Sequence, residues 1–242
     1  MSFIDKYFDK KDKDENVFSS KSNIIKVTSR IINISPVPIY IDHIDNDTAN
    51  YIMNEFDELS KRFNDDRIYV ARNQDPNKEF GIFCSKNAYV PNNNFLAIEN
   101  NAVDIVFKSI LNGISEILLN IYNLNGEYTY SVINSWVQKY ASGNFLSPHN
   151  HVSSKYETID NSKQNSKTFS VGYYIDDGEP DMTQTYSGTI TFITNAGEMT
   201  HIRPKTGTIL IWENTLMHLV NPFYSKSNKS RFMLSANILI EF

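Results

Sequence analysis

Apolar side chains recur every three to four positions in two stretches of this chain. Between about residues 47 and 63, Ile52, Phe56, Leu59 and Phe63 are set against Asp57, Glu58, Lys61 and Arg62, which predicts an amphipathic helix capped by Asp47. Over about 101–122, Val103, Val106, Ile110, Ile114, Ile117, Leu118 and Ile121 make a broader stripe, which predicts a helix packed on a sheet. Upstream, the β-branched run from Ile24 to Ile34 reads as strand. Pro36 and Pro38 then place the segment 35–40 at a sheet edge, because proline cannot donate to a ladder. Residues 64–100 mix short apolar runs with asparagine-rich turns and predict no order of elements. After the turn Asn125-Gly126, short apolar runs at 128–140, 168–175, 188–194, 208–212 and 231–240 predict strands to the C-terminus. Two helices followed by strands separated by Gly, Pro and Asn signals predict an α+β, mainly β domain, with both helices on one face of an antiparallel sandwich or barrel.

Composition sharpens this picture. Only 9 glycines serve 242 residues, and asparagine, the other residue that tolerates left-handed backbone, is expected in the turns. A chain of this length buries roughly 70–75% of its unfolded surface, so it needs no metal or disulfide merely to fold, and a metal site in it is functional. With 23 Lys and Arg against 28 Asp and Glu, the net charge of −5 disfavours general nucleic-acid binding and attachment to anionic membranes. The single cysteine, Cys84, cannot pair within the chain and fits a reducing, cytoplasmic setting. The N-terminus lacks the apolar run of a signal peptide, and no stretch reaches the ~20 apolar residues of a membrane span. Residues 1–22 carry five lysines and five acidic residues and predict a flexible tail ahead of one domain over 23–242. Phe3, Ile4, Tyr7 and Phe8 give the tail a second reading, a short helix that docks a protein partner.

The chemistry-bearing residues fall late in the chain. His149 and His151 are two residues apart, so on extended backbone both imidazoles leave the same face and can converge on one ion. Neutral imidazole suits iron, copper, nickel and zinc. Read alone, the pair is two exposed turn histidines. Further on come a Pro-x-x-Gly segment (Pro204 to Gly207), the strand Thr208–Trp212, His218 just beyond it, and Arg231 opening the last strand. Arginine grips carboxylates bidentately, so His218 on a metal and Arg231 on the far end of a dicarboxylate form a coherent pair. Alone, Arg231 is a surface charge on an edge strand. Residues 231, 233, 235 and 237 share one face of that strand. His43 and His201 read as structural or exposed, and Tyr173, Tyr174, Trp136 and Trp212 as packing residues first. No glycine-rich phosphate loop, Cys-x-x-Cys or nucleophile elbow occurs, which leaves nucleotide hydrolysis, structural zinc and serine-hydrolase chemistry without support.

The ordered set formed by Ile34 to Ile39, a Trp136 strand leading through Gly143 to His149-Asn150-His151, Gly172-Tyr173-Tyr174, Gly188 to Phe192, Pro204 to Gly207, His218, Arg231 and Asn237 resembles the iron(II)/2-oxoglutarate-dependent oxygenase superfamily. It is most similar to a branch common in marine bacteria and tailed phages, and the resemblance spans about 31–242. It implies a double-stranded β-helix, or jelly-roll, that uses iron(II) with 2-oxoglutarate as co-substrate. By the same resemblance, His149, His151 and His218 are the metal ligands and Arg231 holds the distal carboxylate, with Ser235, Asn237, Tyr140 and Asn134 as further co-substrate residues. Two positions depart from the superfamily's pattern. His151 stands where a carboxylate is usual; alternatively it backs the ligands or faces the substrate and a carboxylate from elsewhere completes the triad, the inserted stretch 152–167 supplying Glu157 and Asp160, which nothing in their spacing nominates. Met233 stands where a hydroxyl is common, so Ser235 would have to substitute. The implied activity is that of a dioxygenase hydroxylating a small-molecule or protein substrate. Two rivals remain: a jelly-roll retained as a structural or binding module, for instance a phage virion component, and a cupin-like three-histidine dioxygenase that works without 2-oxoglutarate.

Overall fold

The structure is a computed structural model that describes residues 30–34, 37–62, 68–70, 83–85, 95–152 and 166–242. The charged tail, Glu157 and Asp160 lie outside these residues, as does most of 64–100. Twelve strands are described, β1 (Arg30–Ile34), β2 (Val37–His43), β3 (Ile68–Val70), β4 (Phe83–Ser85), β5 (Thr129–Tyr140), β6 (Leu146–His149), β7 (Ser166–Asp176), β8 (Ile190–Ile193), β9 (Met199–Ile202), β10 (Thr208–Glu213), β11 (Met217–Val220) and β12 (Arg231–Glu241), with helices α1 (Asn46–Arg62) and α2 (Asn101–Tyr122). They form an eight-stranded sheet, β1-β2-β10-β7-β12-β5-β4-β3, and a four-stranded sheet, β6-β11-β8-β9.

Period-two patterning on the large sheet builds two apolar layers. Phe169, Val171, Tyr173, Ile209, Ile211, Leu234, Ala236 and Ile238 face outward onto α1 and α2, where Ile52, Phe56, Val106, Ile110 and Ile114 cover them. Their neighbours Tyr174, Leu210, Trp212 and Met233 face inward and pack with Ile190 and Phe192 of the small sheet. Both faces of the central strands are thus buried, and the space between the sheets is where a site has to lie. This is the α+β, mainly β jelly-roll with two helices on one sheet that the sequence predicts.

The helices form where the apolar spacing places them, with one change at the first. Asp45, not Asp47, caps α1: its carboxylate accepts from the Thr48 amide at 3.0 Å, and Asp47 sits in the first turn. Asn100 caps α2 by accepting from the Ala102 and Val103 amides, and Asn123 ends it in left-handed backbone at φ 54°. Asparagine therefore does serve where glycine is usual. A second correction concerns β2, which is an interior strand paired with both β1 and β10. Pro36 precedes the strand, and Pro38 lies beyond the last β10 partner, Ile39↔Trp212, and pairs only with Asn33 of β1, so the β10 ladder misses no amide.

Helix α2 approaches the sheet at Gly113. A Cβ there would lie 2.5 Å from the Tyr40 ring and 2.7 Å from Ile211. Gly113→Ala is therefore expected to lower stability by about 1–3 kcal/mol through overpacking, although helix propensity alone favours alanine by about 1 kcal/mol. Urea unfolding of the variant measures which effect prevails.

Candidate metal centre

His149 and His218 come to face each other through strand pairing. They are direct partners in the β6–β11 ladder, while Leu146 pairs with Val220, so β6 uses one residue more than β11 over the same span. This bulge turns Leu146 and His149 to the same side despite their odd spacing. His151 follows where the ladder ends, its amide donating to the Asn214 carbonyl at 2.9 Å. Ring centroids of His149 and His218 are 4.2 Å apart, those of His151 and His218 5.0 Å, and those of His149 and His151 5.3 Å. One nitrogen from each ring lies within 4.8 Å of the other two.

The hydrogen bonds behind the rings determine what they present. His149 donates from Nδ1 to the Ser147 carbonyl at 2.9 Å, and His218 from Nδ1 to the Leu216 carbonyl at 3.0 Å. A carbonyl only accepts, so each ring carries its proton on Nδ1 and keeps a bare Nε2. The Nε2 atoms of His149 and His151 face one another at 3.3 Å. Burial pushes all three imidazoles below their ordinary value, His151 to about 4 and His218 furthest, where the other two histidines add to the effect. Neutral, buried and converging nitrogens are a donor set for a borderline divalent cation.

A pH effect follows. In the metal-free protein the histidines stay neutral below pH 6.5 while those of the unfolded chain take up protons, so the unfolded state binds more protons and stability falls as pH drops from about 6.5 towards 4. Urea midpoints taken across that window are expected to decline, and less steeply in His151→Gln.

Arg231 is fully buried on the inner face of β12. Its Nη2 donates to the Gly188 carbonyl, but Nε and Nη1 have no partner among the described residues. The guanidinium lies 5.0 Å from the Tyr174 ring centroid and 5.4 Å from that of Phe223, and burial lowers its pKa. The Tyr174 hydroxyl is equally unpartnered among the described residues, and burial pushes it up to about 12. Trp212, fully buried, packs edge-on against His218 at 4.9 Å, and its Nε1 also has no partner among the described residues. Between these groups Gly172 keeps the floor low, since a Cβ would sit 3.1 Å from the Met233 methyl.

The other expected site residues share this inner face. Tyr140 donates to Gln138 Oε1 at 3.0 Å, and Ser235 to the same oxygen at 3.3 Å. Asn237 and Asn134 instead stand behind His151: Asn237 Oδ1 lies 2.7 Å from His151 Nδ1, and Asn237 Nδ2 donates to Asn134 Oδ1 at 2.8 Å. The sequence reading did not single out Gln138 or Ser170 and took Tyr174 and Trp212 as packing. For Tyr174, the alternation that puts 170, 172 and 174 on one face of β7 was the available signal. His201 lies in β9, not in a turn, 2.6 Å from the Thr191 hydroxyl and apart from the cluster.

A jelly-roll thus gathers three neutral imidazoles between its sheets, a donor set that could hold a metal ion, with a buried, half-satisfied arginine on the same inner face. Residues 135–239, which run from β5 to β12 and include all three histidines and Arg231, match the family model of the 2OG-Fe(II) oxygenase superfamily. The match takes in 105 of the 242 residues and is to the superfamily that the sequence pattern resembles, whose members use iron(II) and 2-oxoglutarate. Solved structures with the same fold include a prolyl-4-hydroxylase from Pseudomonas putida, at 12% identity and TM-score 0.53, covering 84% of this chain and 91% of that one. A prolyl hydroxylase from Trichoplax adhaerens, in complex with a hypoxia inducible factor peptide fragment, aligns at 15% identity and TM-score 0.56 over 84% and 83% of the two chains. A viral collagen prolyl hydroxylase from Paramecium bursaria Chlorella virus-1, a 2-oxoglutarate complex, aligns at 13% identity and TM-score 0.51 over 82% and 95%. No curated protein matches the sequence. Among the described residues, no helix is long and apolar enough to cross a membrane.

Proposed function

We propose that this protein hydroxylates a carbon centre of a protein side chain or small molecule, with His149, His151 and His218 as iron ligands and Arg231 gripping the distal carboxylate of 2-oxoglutarate. The observation that carries this reading is Arg231, a fully buried cation with two nitrogens that have no partner among the described residues. An unpaired buried charge is costly, and a carboxylate supplies both the opposite charge and the acceptors. The hydroxyl of Tyr174, whose ring packs on the same guanidinium, is a further donor without a partner among the described residues, and Gly172 leaves room for the carbon chain. These groups favour a 2-oxoglutarate enzyme over a cupin-like oxidation without a co-substrate.

When bound, iron(II) supplies the redox chemistry that couples dioxygen reduction and decarboxylation of 2-oxoglutarate to hydroxylation. One oxygen atom goes to the substrate carbon and the other to succinate, and the former C1 leaves as carbon dioxide. The chain's own residues bind and exclude. His149 and His218 hold their protons on Nδ1 and offer Nε2, Arg231 orients the dicarboxylate, and Phe192, Trp212, Leu216 and Met233 keep water from the space around it. A peptide on the Trichoplax relative supports a protein side chain among the candidate substrates.

Anaerobic calorimetry of 2-oxoglutarate into full-length protein, with and without ferrous iron, tests the reading. Iron-dependent binding, followed on admission of oxygen by slow succinate formation without a prime substrate, is expected. Failure to bind at millimolar 2-oxoglutarate in a folded, iron-loaded sample would overturn it.

A further inference from the structure

The side chains behind His151 do more than fill space. Asn134, Asn237 and Ser170 lie on three adjacent strands, and Asn237 is the direct partner of Asn134 in β5 and of Ser170 in β7. Ser170 is fully buried and Asn237 is 8% exposed. We infer that Asn237, braced by Asn134 and Ser170, is a positioning residue that commits His151 to the Nδ1–H tautomer and so makes the centre a neutral three-nitrogen site, an inference that rests on the metal-site reading above.

The argument is one of donors and acceptors. Asn237 Nδ2 is spent on Asn134 Oδ1 at 2.8 Å, which turns Asn237 Oδ1 toward His151 Nδ1 at 2.7 Å and the Ser170 hydroxyl at 2.9 Å. That oxygen only accepts, so His151 Nδ1 must donate. Ser170 Oγ, 2.9 Å from the same nitrogen, spends its proton on Asn237 and is left with lone pairs for that N–H as well. A neutral imidazole has one N–H, so Nε2 is bare and lies 3.3 Å from the bare Nε2 of His149. Two lone pairs at that distance repel, and a cation bound by both removes the repulsion. The other tautomer needs both carboxamides reversed, spends the His151 Nε2–H on the bare Nε2 of His149, and so withdraws both nitrogens from a metal.

The usual carboxylate at this position needs no such support, because either oxygen can bind. An imidazole binds through one nitrogen only, and the wrong tautomer cannot bind at all. With three neutral nitrogens the site favours iron, cobalt, nickel and zinc over magnesium and manganese, which prefer oxygen donors.

Cobalt(II), titrated anaerobically into the full chain and followed by proton NMR, provides the test, since each histidine bound through Nε2 contributes one exchangeable, paramagnetically shifted Nδ1–H signal. Wild type is expected to give three. Asn237→Leu, which removes the acceptor at similar volume, is expected to give two and to bind cobalt about 10–100-fold more weakly. Asn237→Asp keeps an acceptor oxygen and is expected to restore three signals with affinity within a few-fold of wild type. Two signals from a wild-type protein that binds cobalt tightly would overturn the inference and leave His149 and His218 as ligands. Three signals persisting in Asn237→Leu would overturn it as well. No cobalt binding by folded wild type would overturn the metal-site reading and the inference together.

Discussion

Arg231→Met is expected to yield a protein that melts no lower than its parent and has lost 2-oxoglutarate. In the metal-free, ligand-free chain the guanidinium is fully buried with Nε and Nη1 unpartnered among the described residues, so its removal relieves a desolvation cost that the Gly188 carbonyl, two aromatic rings and the more distant Asp177 offset in part. Methionine keeps the aliphatic stem between Tyr174 and Phe223 and brings no charge. Binding moves the other way. Stripping one partner from a buried charge pair costs about 3–5 kcal/mol, so affinity for 2-oxoglutarate should fall by about 10²–10⁴. Thermal melts separate the two effects. Co-substrate at about 100 times its Kd stabilises wild type by about 2.7 kcal/mol, a shift of about 5–10 °C for a domain of this size, whereas the variant at the same concentration should not move. A variant that melts well below wild type and still shifts with 2-oxoglutarate would mean that Arg231 is a packing residue.

His218→Ala is expected to abolish metal binding and co-substrate binding together. Four-ligand zinc sites bind with about 10–16 kcal/mol, about 3–4 per ligand, so losing one of three imidazoles should weaken the metal by about 10²–10³ or more. His218 is 3% exposed and packed against Trp212 and Phe192, so alanine also opens a cavity there. His218→Gln fills more of that space while offering a poorer ligand. If both variants fold and neither binds ferrous iron, the loss belongs to the ligand rather than to the fold. The contrast with Arg231→Met, which should keep its iron, distinguishes the two halves of the site. Unchanged iron affinity in His218→Gln would remove this residue from the centre.

Both predictions concern residues that were visible in the sequence, and the reason is chemical. The spacing of His149 and His151 suggested a shared face on extended backbone, although the strand ends at His149, and Arg231 opens a strand whose alternate residues are polar, so each could be nominated from local pattern. The two helices were equally legible, because a 3.6-residue apolar period is a property of the segment itself. So was the use of asparagine in left-handed turns, realised at Asn123 and Asn228.

Other features depended on contacts between distant segments. Strands β6, β9 and β11 have four residues each, too few to establish a period, yet β6 and β11 carry His149 and His218. Their meeting depends on a bulge that exists only once the two strands pair. That β2 is interior was hidden because the prolines argued for an edge, while the register that spares their missing amides is set by β10. Tyr174 and Trp212 read as core residues, which they are by burial. Only the folded chain shows that the hydroxyl of one and the indole nitrogen of the other lack partners beside the site. Asn237 drew attention as part of the arginine strand, but its link to His151 spans 86 residues and passes through neither neighbour in sequence. The sequence by itself determined the layers, the helices and the identity of the chemical groups, because these follow from local period and side-chain type. The tertiary structure alone decided which nitrogen each histidine offers and which buried donors are left unpaired, because both depend on acceptors that the fold brings from other strands.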